Sequence, residues 1–488
     1  MSSSRSSSFQ LSIAYGLITI IAASYMTPWV AIGTFIEYYM AKYGCNYFVW
    51  LNTAFYLPGL PISFMQLSND SHWDRKYGIK NTFLCRMTLA LMVCTAVMFS
   101  FPFCERNQIL ILTTLLGVFA WSGHGTLTPM ASLFPKKAVG FLQFGFQVPN
   151  AFALGLCLSL GLYNVNTSEV MEVYTDEKVI RFYFHAGAFA ILGLMCTVAL
   201  RGMNITKDLQ DKYNKNLMDL STVGGGSFGE DNRTTDTTDD ENNDDGRLLL
   251  SAEEGRRTSP PHTPDRETTG GVRWGREENG NGDYISQHSA PLLPGSPSKS
   301  SKFRHSDSSV VQGWVLESIR LHRYVLFFTI FASIFSGSFF SKVKTADPDN
   351  ATGLGQLLYF TRLFADLAGR VFTFLPRPKM VKSINGLFVI MLLRMGLLVI
   401  FFLYILDLTP KNDTFIIILV GVCAFQSGFN AVLVYEYVGI KVVAEAGAIG
   451  SSSDCNCAKS TATKALNMSF QYACFAACLC NILGVYLL

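Results

Sequence analysis

Residues 354–375 read LGQLLYFTRLFADLAGRVFTFL, an apolar stretch that carries Arg362, Asp366 and Arg370 at four-residue intervals. On a helix this spacing stacks all three on one face, a turn apart. The stretch is long enough to cross a bilayer and ends in Pro376-Arg377-Pro378, a run that breaks helices. Each ionised group inside a span costs roughly 2.5–3.5 kcal/mol on insertion scales. Such a stripe faces protein or a water-filled path, not lipid. The expectation is a polytopic membrane protein with a polar interior, and a transporter before anything else.

The 488-residue chain is 49% hydrophobic and only 15% charged. Much of that charge lies in one central block, which leaves the rest more apolar than the average. The 38 Phe and 20 Tyr suit lipid-facing surfaces and interface belts. A net charge of +3 gives no reason to expect a nucleic-acid partner. Of the twelve Cys, most lie in apolar stretches, where thiols behave as small hydrophobes. Cys455 and Cys457 form a CxC with no second Cys/His pair nearby, so no metal and no cofactor is expected. The first apolar segment is too long for a cleaved leader.

Hydropathy predicts an all-α protein of eleven transmembrane helices in a 6+5 arrangement. The first six fall near 10–36, 46–67, 82–103, 108–132, 139–163 and 181–201. The last five fall near 324–342, 354–376, 385–406, 414–438 and 465–488. The chain divides into a cytoplasmic N-terminus (1–9), a six-helix half (10–201), a central loop (202–320) and a five-helix half (321–488). Lys and Arg set the orientation, with Arg75, Lys76, Lys80, Lys136, Lys137, Lys441, Lys459 and Lys464 on the cytoplasmic side. The sequons at Asn166, Asn350 and Asn412 then fall outside, where glycosylation is possible. Residues 202–320 hold glycine and acidic runs without apolar periodicity and read as a disordered cytoplasmic loop. Arg-Arg-Thr-Ser-Pro (256–260), Thr263-Pro and Ser296-Pro are either kinase sites or chance matches in a tether. Asp244, Leu248 and Leu249 fit an acidic dileucine, which would engage sorting adaptors; chance occurrence in an acidic loop is the competing reading. The address is accordingly the plasma membrane or an endosomal or lysosomal membrane.

Asp366 and Arg370 can pair at i,i+4, which lowers the cost of both. The pair either locks its helix to the neighbours or serves as a gate or solute contact. Arg362 leaves the face net positive and needs a further carboxylate or carbonyl. Glu37 can snorkel from the end of the first helix. Glu436 is a possible partner of Arg370 or Arg394. Gln426 and Asn430 share a face and either line a path or bond between helices. Pro58-Gly-Leu-Pro61 should kink the second helix. No P-loop or HExxH is present, so neither ATP drive nor an enzyme is expected.

Asp366-Leu-Ala-Gly-Arg370, in the second helix after a large central loop, resembles the DxxGR hallmark of the equilibrative nucleoside transporters. Other residues agree in order: Pro28-Trp29 with Tyr38–Tyr39, Arg86 after Asn81, Gly117 through Leu133-Phe134-Pro135, Leu-His-Arg-Tyr at 321–324, Arg394, and Ser427-Gly-Phe-Asn430. The resemblance covers the chain except 202–320. It implies a major-facilitator-like fold lacking the twelfth helix, and a nucleoside, nucleobase or monoamine-cation solute. It also implies that Trp29 offers an aromatic face to the solute, that His124 stands where a glutamine bonds the base, and that Asp366 and Arg370 meet the sugar hydroxyls or order the pocket. Val30 departs from the family's Pro-Trp-Asn. His124 is either a satisfied interhelical bond or a proton-sensitive recognition residue. The fifth helix carries Gln143, Gln147 and Asn150 but no acid, which favours neutral solutes over cations. A non-transporting scaffold or receptor that recruits partners through the central loop is the alternative from another class.

Overall fold

The computed structural model describes residues 2–134, 137–163, 170–211, 308–346, 354–376, 381, 383–449 and 452–487. Among these residues the structure is helical throughout, with no strand. Eleven spans are present. The first six are Ser2–Thr34, the broken pair Tyr47–Tyr56 and Gly59–Tyr77, Ile79–Ser100, Arg106–Leu133, the broken pair Lys137–Gly145 and Val148–Leu160, and Asp176–Gly202. The last five are Arg320–Ser338, Leu354–Phe372, Ile384–Ile405, Asp413–Ile449 and Ser452–Leu487. They are called spans 1 to 11 below. Nine helices among the described residues are long and apolar enough to cross a membrane by themselves. Span 2, with Asn52, Pro58, Gly59 and Pro61 among its apolar residues, is not one of them, and span 8 falls short because it carries Arg362, Asp366 and Arg370.

The outward faces are apolar. Met195, Val198, Leu393, Val399 and Ile418 are all more than half exposed. A belt of this size facing water would be a liability, so these faces belong against lipid. Inside, one large apolar cluster runs through both halves, joining Trp29, Phe55 and Trp121 to Leu326, Tyr435 and Cys474. Two smaller clusters lie one in each half.

The break in span 2 falls where Pro58-Gly-Leu-Pro61 predicted a kink. The break in span 5 was not anticipated. Pro149 has no N–H to offer the Gly145 carbonyl, and its ring crowds that oxygen. The helix therefore stops at Gly145 and restarts at Val148, with Pro149 in the new first turn. Helices also extend further than hydropathy suggested. Spans 10 and 11 carry Lys441, Lys459 and Lys464 within helix rather than in a loop.

The central block is narrower than 202–320, and its ends correct the reading of that whole range as disordered. Residues 204–211 are helical, with Thr206 and Gln210 buried and Asp211 paired to Lys80 at 2.6 Å. Ser308–Ser318 is also a helix, and Val315 and Ile319 are completely buried. A few apolar side chains at helical spacing suffice to dock these ends. Asp244, Leu248, Leu249 and the phosphorylation motifs lie outside the described residues.

Spans 8 and 10 pack backbone to backbone through Gly369 and Gly428. A Cβ on Gly369 would lie 2.1 Å from the Phe425 carbonyl oxygen, and one on Gly428 2.0 Å from the Asp366 carbonyl oxygen. Gly428→Ala should therefore destabilise the protein by at least about 1–3 kcal/mol, the usual cost of overpacking. Thermal unfolding of the solubilised chain measures this, and an unchanged midpoint would refute the close contact.

Candidate functional site

The close approach of spans 8 and 10 fixes where Asp366 and Arg370 stand. Both are buried, and Arg370 Nε donates to Asp366 Oδ2 at 2.8 Å. Arg370 also reaches into the other half. Its terminal nitrogen donates to the Gln143 side-chain oxygen at 2.7 Å and to the Gln143 carbonyl at 2.9 Å. The break in span 5 explains why that carbonyl is available. Gln147 N–H bonds Phe144 O at 2.9 Å instead of continuing the α ladder to Gln143. A guanidinium bonded to a carboxylate and to two amide oxygens has most of its donors satisfied, which is what a buried charge requires.

The pair lines a cavity of about 120 Å³ between the halves. Tyr56, Trp121, His124, Gln143, Phe146 and Gln147 line it from the first half. Ser333, Arg362, Asp366, Arg370, Ser427 and Tyr435 line it from the second. One side is thus aromatic and amide-bearing, the other charged and hydroxyl-bearing. His124 packs against Trp121, Phe146 and Phe470 with centroids 5.2–5.6 Å away. Tyr25 Oη lies 3.3 Å from its Nδ1, while its Nε2 has no hydrogen-bond partner among the described residues. Tyr435 donates to Asn467 at 2.8 Å. His124 is therefore an interhelical link through Nδ1 and a cavity wall.

Polar contacts also join the halves toward the two ends of the helices. At the end bearing Lys80, Asp70 of span 2 accepts from Arg86 at 2.6 Å and from Lys464 of span 11 at 3.3 Å. Arg86 also stacks on Trp73, 4.8 Å from the ring centre. At the opposite end, the Glu37 carboxylate accepts from the backbone N–H of Gln356 at 3.1 Å, near the start of span 8. The Gln356 amide donates to Thr34 O, Leu162 O and Tyr174 Oη at 3.1–3.3 Å. The cavity is smaller than the roughly 300–1,000 Å³ of ordinary ligand sites.

Other residues singled out from sequence fall elsewhere. Trp29 is not at the cavity; it stacks on Phe55 at 4.3 Å and lies edge-on to Tyr56, which takes the lining position instead. Asn430 is fully buried away from the lining, with neither side-chain atom bonded among the described residues. Gln147 lines the cavity and accepts from Asn150. Arg394 is buried and bonds Ser333, while Arg362 makes no hydrogen bond or ion pair with a described residue. Glu436 is half-buried in span 10, Arg370 bonds Asp366 and Gln143, and Arg394 bonds Ser333. Asn412 is exposed and caps span 10 through Phe415 N–H at 3.0 Å; Asn166 and Asn350 lie outside the described residues. Sequence reasoning missed Asp70, Lys464 and Gln356, whose partners are hundreds of positions away in the chain. It missed Tyr435 and Ser333 as well, which look like ordinary span residues.

Asp366→Ala should strand Arg370 and cost about 3–5 kcal/mol. Folding yield and thermal unfolding measure it; near-wild-type values for both would remove the pair as a structural element. Lys464→Ala frees the end bearing Lys80. In a Ser427→Cys background it should raise thiol labelling of the cavity from that side several-fold, and unchanged labelling would refute the lock.

No family model and no curated protein matches the sequence. Solved structures with a similar arrangement of helices include three transporters. The E. coli fucose:proton symporter FucP has 9% identity over 97% of this chain and 96% of that chain, with a TM-score of 0.42. The major facilitator superfamily proton:xylose symporter XylE, bound to 6-bromo-6-deoxy-D-glucose, has 9% identity over 98% and 94%, with a TM-score of 0.49. A bacterial homologue of the human lysosomal transporter Spinster, inward-facing and unoccupied, has 12% identity over 97% and 82%, with a TM-score of 0.41. The resemblance to nucleoside transporters rests on the residues quoted from the sequence.

Proposed function

We propose that this protein is a membrane solute transporter that works by alternating access between its six-span and five-span halves. The observation that carries the reading is the polar cavity lined by both halves, with separable polar contacts joining the halves toward either end of the helices. Opening Asp70–Lys464 while keeping Glu37–Gln356 exposes the cavity to one side; the reverse exposes it to the other. A static scaffold has no use for a charged cavity between two halves.

The solute proposed is nucleoside-like. Trp121, Phe146 and Phe470 offer faces on which a planar base can stack. Gln143 and Gln147 offer side-chain amides to sugar hydroxyls, and Ser427 and Tyr435 offer hydroxyls of their own. Arg362 and Arg370 outnumber Asp366 at the cavity, which disfavours an organic cation. Glycosylation, kinase control of the central loop, dileucine sorting and an endosomal or plasma-membrane address belong to the same proposal.

Uptake of labelled uridine and adenosine into proteoliposomes, at acidic and at neutral pH, tests it. Saturable uptake is expected at one pH or both. Failure to move nucleosides, nucleobases or cations by correctly folded protein would sink the reading. His124→Gln should preserve uptake and flatten any pH dependence, since glutamine keeps a donor and an acceptor without titrating; an unchanged pH profile would exclude His124 as the sensor.

A further inference from the structure

Beside the central cavity lies a smaller one of about 20 Å³, enough for one water-sized occupant. The two share Ser333, Arg362 and Ala424 as walls, so the smaller chamber lies directly against the larger. Its polar walls are Arg362, Arg394, Ser333 and Ser336; the remainder is apolar. Arg394 is 3% exposed, and one terminal nitrogen donates to Ser333 Oγ. Its Nε and other terminal nitrogen have no partner among the described residues. Arg362 brings a second guanidinium, held against the backbone of span 7 because position 337 is glycine. A Cβ there would sit 2.4 Å from its terminal nitrogen.

The walls of the two cavities hold three guanidiniums, Arg362, Arg370 and Arg394, against the single carboxylate of Asp366. That carboxylate is already committed to Arg370. Two arginines thus face one chamber without a carboxylate of their own. An uncompensated buried charge costs several kcal/mol, and two like charges facing each other cost more. Forked donors spaced around a small void are the geometry that binds a carboxylate, a phosphate oxygen or a halide.

We propose that Arg362, Arg394 and Ser333 form an anion subsite beside the solute cavity, filled either by an acidic group on the solute or by a free small anion that binds with it. The subsite rests on the transport reading for the role of the cavity, and it narrows the solute class. A neutral nucleoside alone leaves two charges unmatched; a solute bearing a carboxylate or phosphate, or one accompanied by chloride, does not.

The test uses the purified full-length chain in nanodiscs and thermal unfolding as the readout of binding. Chloride and formate are titrated at constant ionic strength against a sulfonate too bulky for the chamber. Uridine is compared with uridine monophosphate in parallel. Stabilisation by chloride or formate assigns the subsite to a free anion. Stabilisation by uridine monophosphate, beyond uridine and without any effect of the small anions, assigns it to the solute. In either case Arg394→Gln should weaken the anion about tenfold or more, the loss of one charged hydrogen bond, and Arg394→Lys should recover part of it. Gly337→Ala moves the Arg362 guanidinium without removing charge and should weaken the anion too; it decides the matter should Arg394→Gln not fold. No stabilisation by any anion, or equal affinity in wild type and both variants, overturns the subsite. Uptake measured on the same protein separates the readings: normal nucleoside uptake with no anion effect sinks the subsite alone, and an intact anion effect without uptake sinks the transport reading alone.

Discussion

The Arg370 guanidinium is the contact on which the rest of the interior depends. It satisfies Asp366 within span 8 and two oxygens of Gln143 in the opposite half. Each partner exists for a separate local reason. Asp366 is brought near by the glycine contact between spans 8 and 10. The Gln143 carbonyl is freed because Pro149 interrupts span 5. A buried guanidinium with fewer acceptors would cost several kcal/mol and would draw in water. Here the same three groups place a charge at the junction of the halves and bind the halves together.

That junction is asymmetric. The first half contributes aromatic faces and amides, the second contributes charge and hydroxyls. Neither half alone encloses the cavity. Toward its two ends the halves are also joined by polar contacts: Asp70 with Lys464 at one end, Glu37 with the start of span 8 at the other. Polar contacts of this kind exchange for water at modest cost when they part, whereas the apolar cluster that runs through both halves does not.

Much of the architecture was legible in the chain. The eleven spans, the kink at Pro58-Gly-Leu-Pro61 and the pairing of Asp366 with Arg370 follow from hydropathy, proline chemistry and i,i+4 spacing, all of which act within a few turns of helix. The break in span 5 was equally local, and Gly145 with Pro149 marks it in hindsight. Trp29 shows where such reasoning stops. Its residue type suits a binding face, yet Phe55 covers it and Tyr56 meets the cavity in its place.

The sequence by itself determined that three ions must share one face of span 8 and that this face must avoid lipid, because the cost of charge in hydrocarbon is independent of what lies opposite. Only the tertiary structure decided how each ion is met. Arg370 finds Gln143 from the other half, Asp366 is consumed by Arg370, and Arg362 faces the smaller chamber with Arg394. Such partners are set by which helices touch, and that depends on close-packing contacts such as Gly369, Gly428 and Gly337 between segments far apart in the chain.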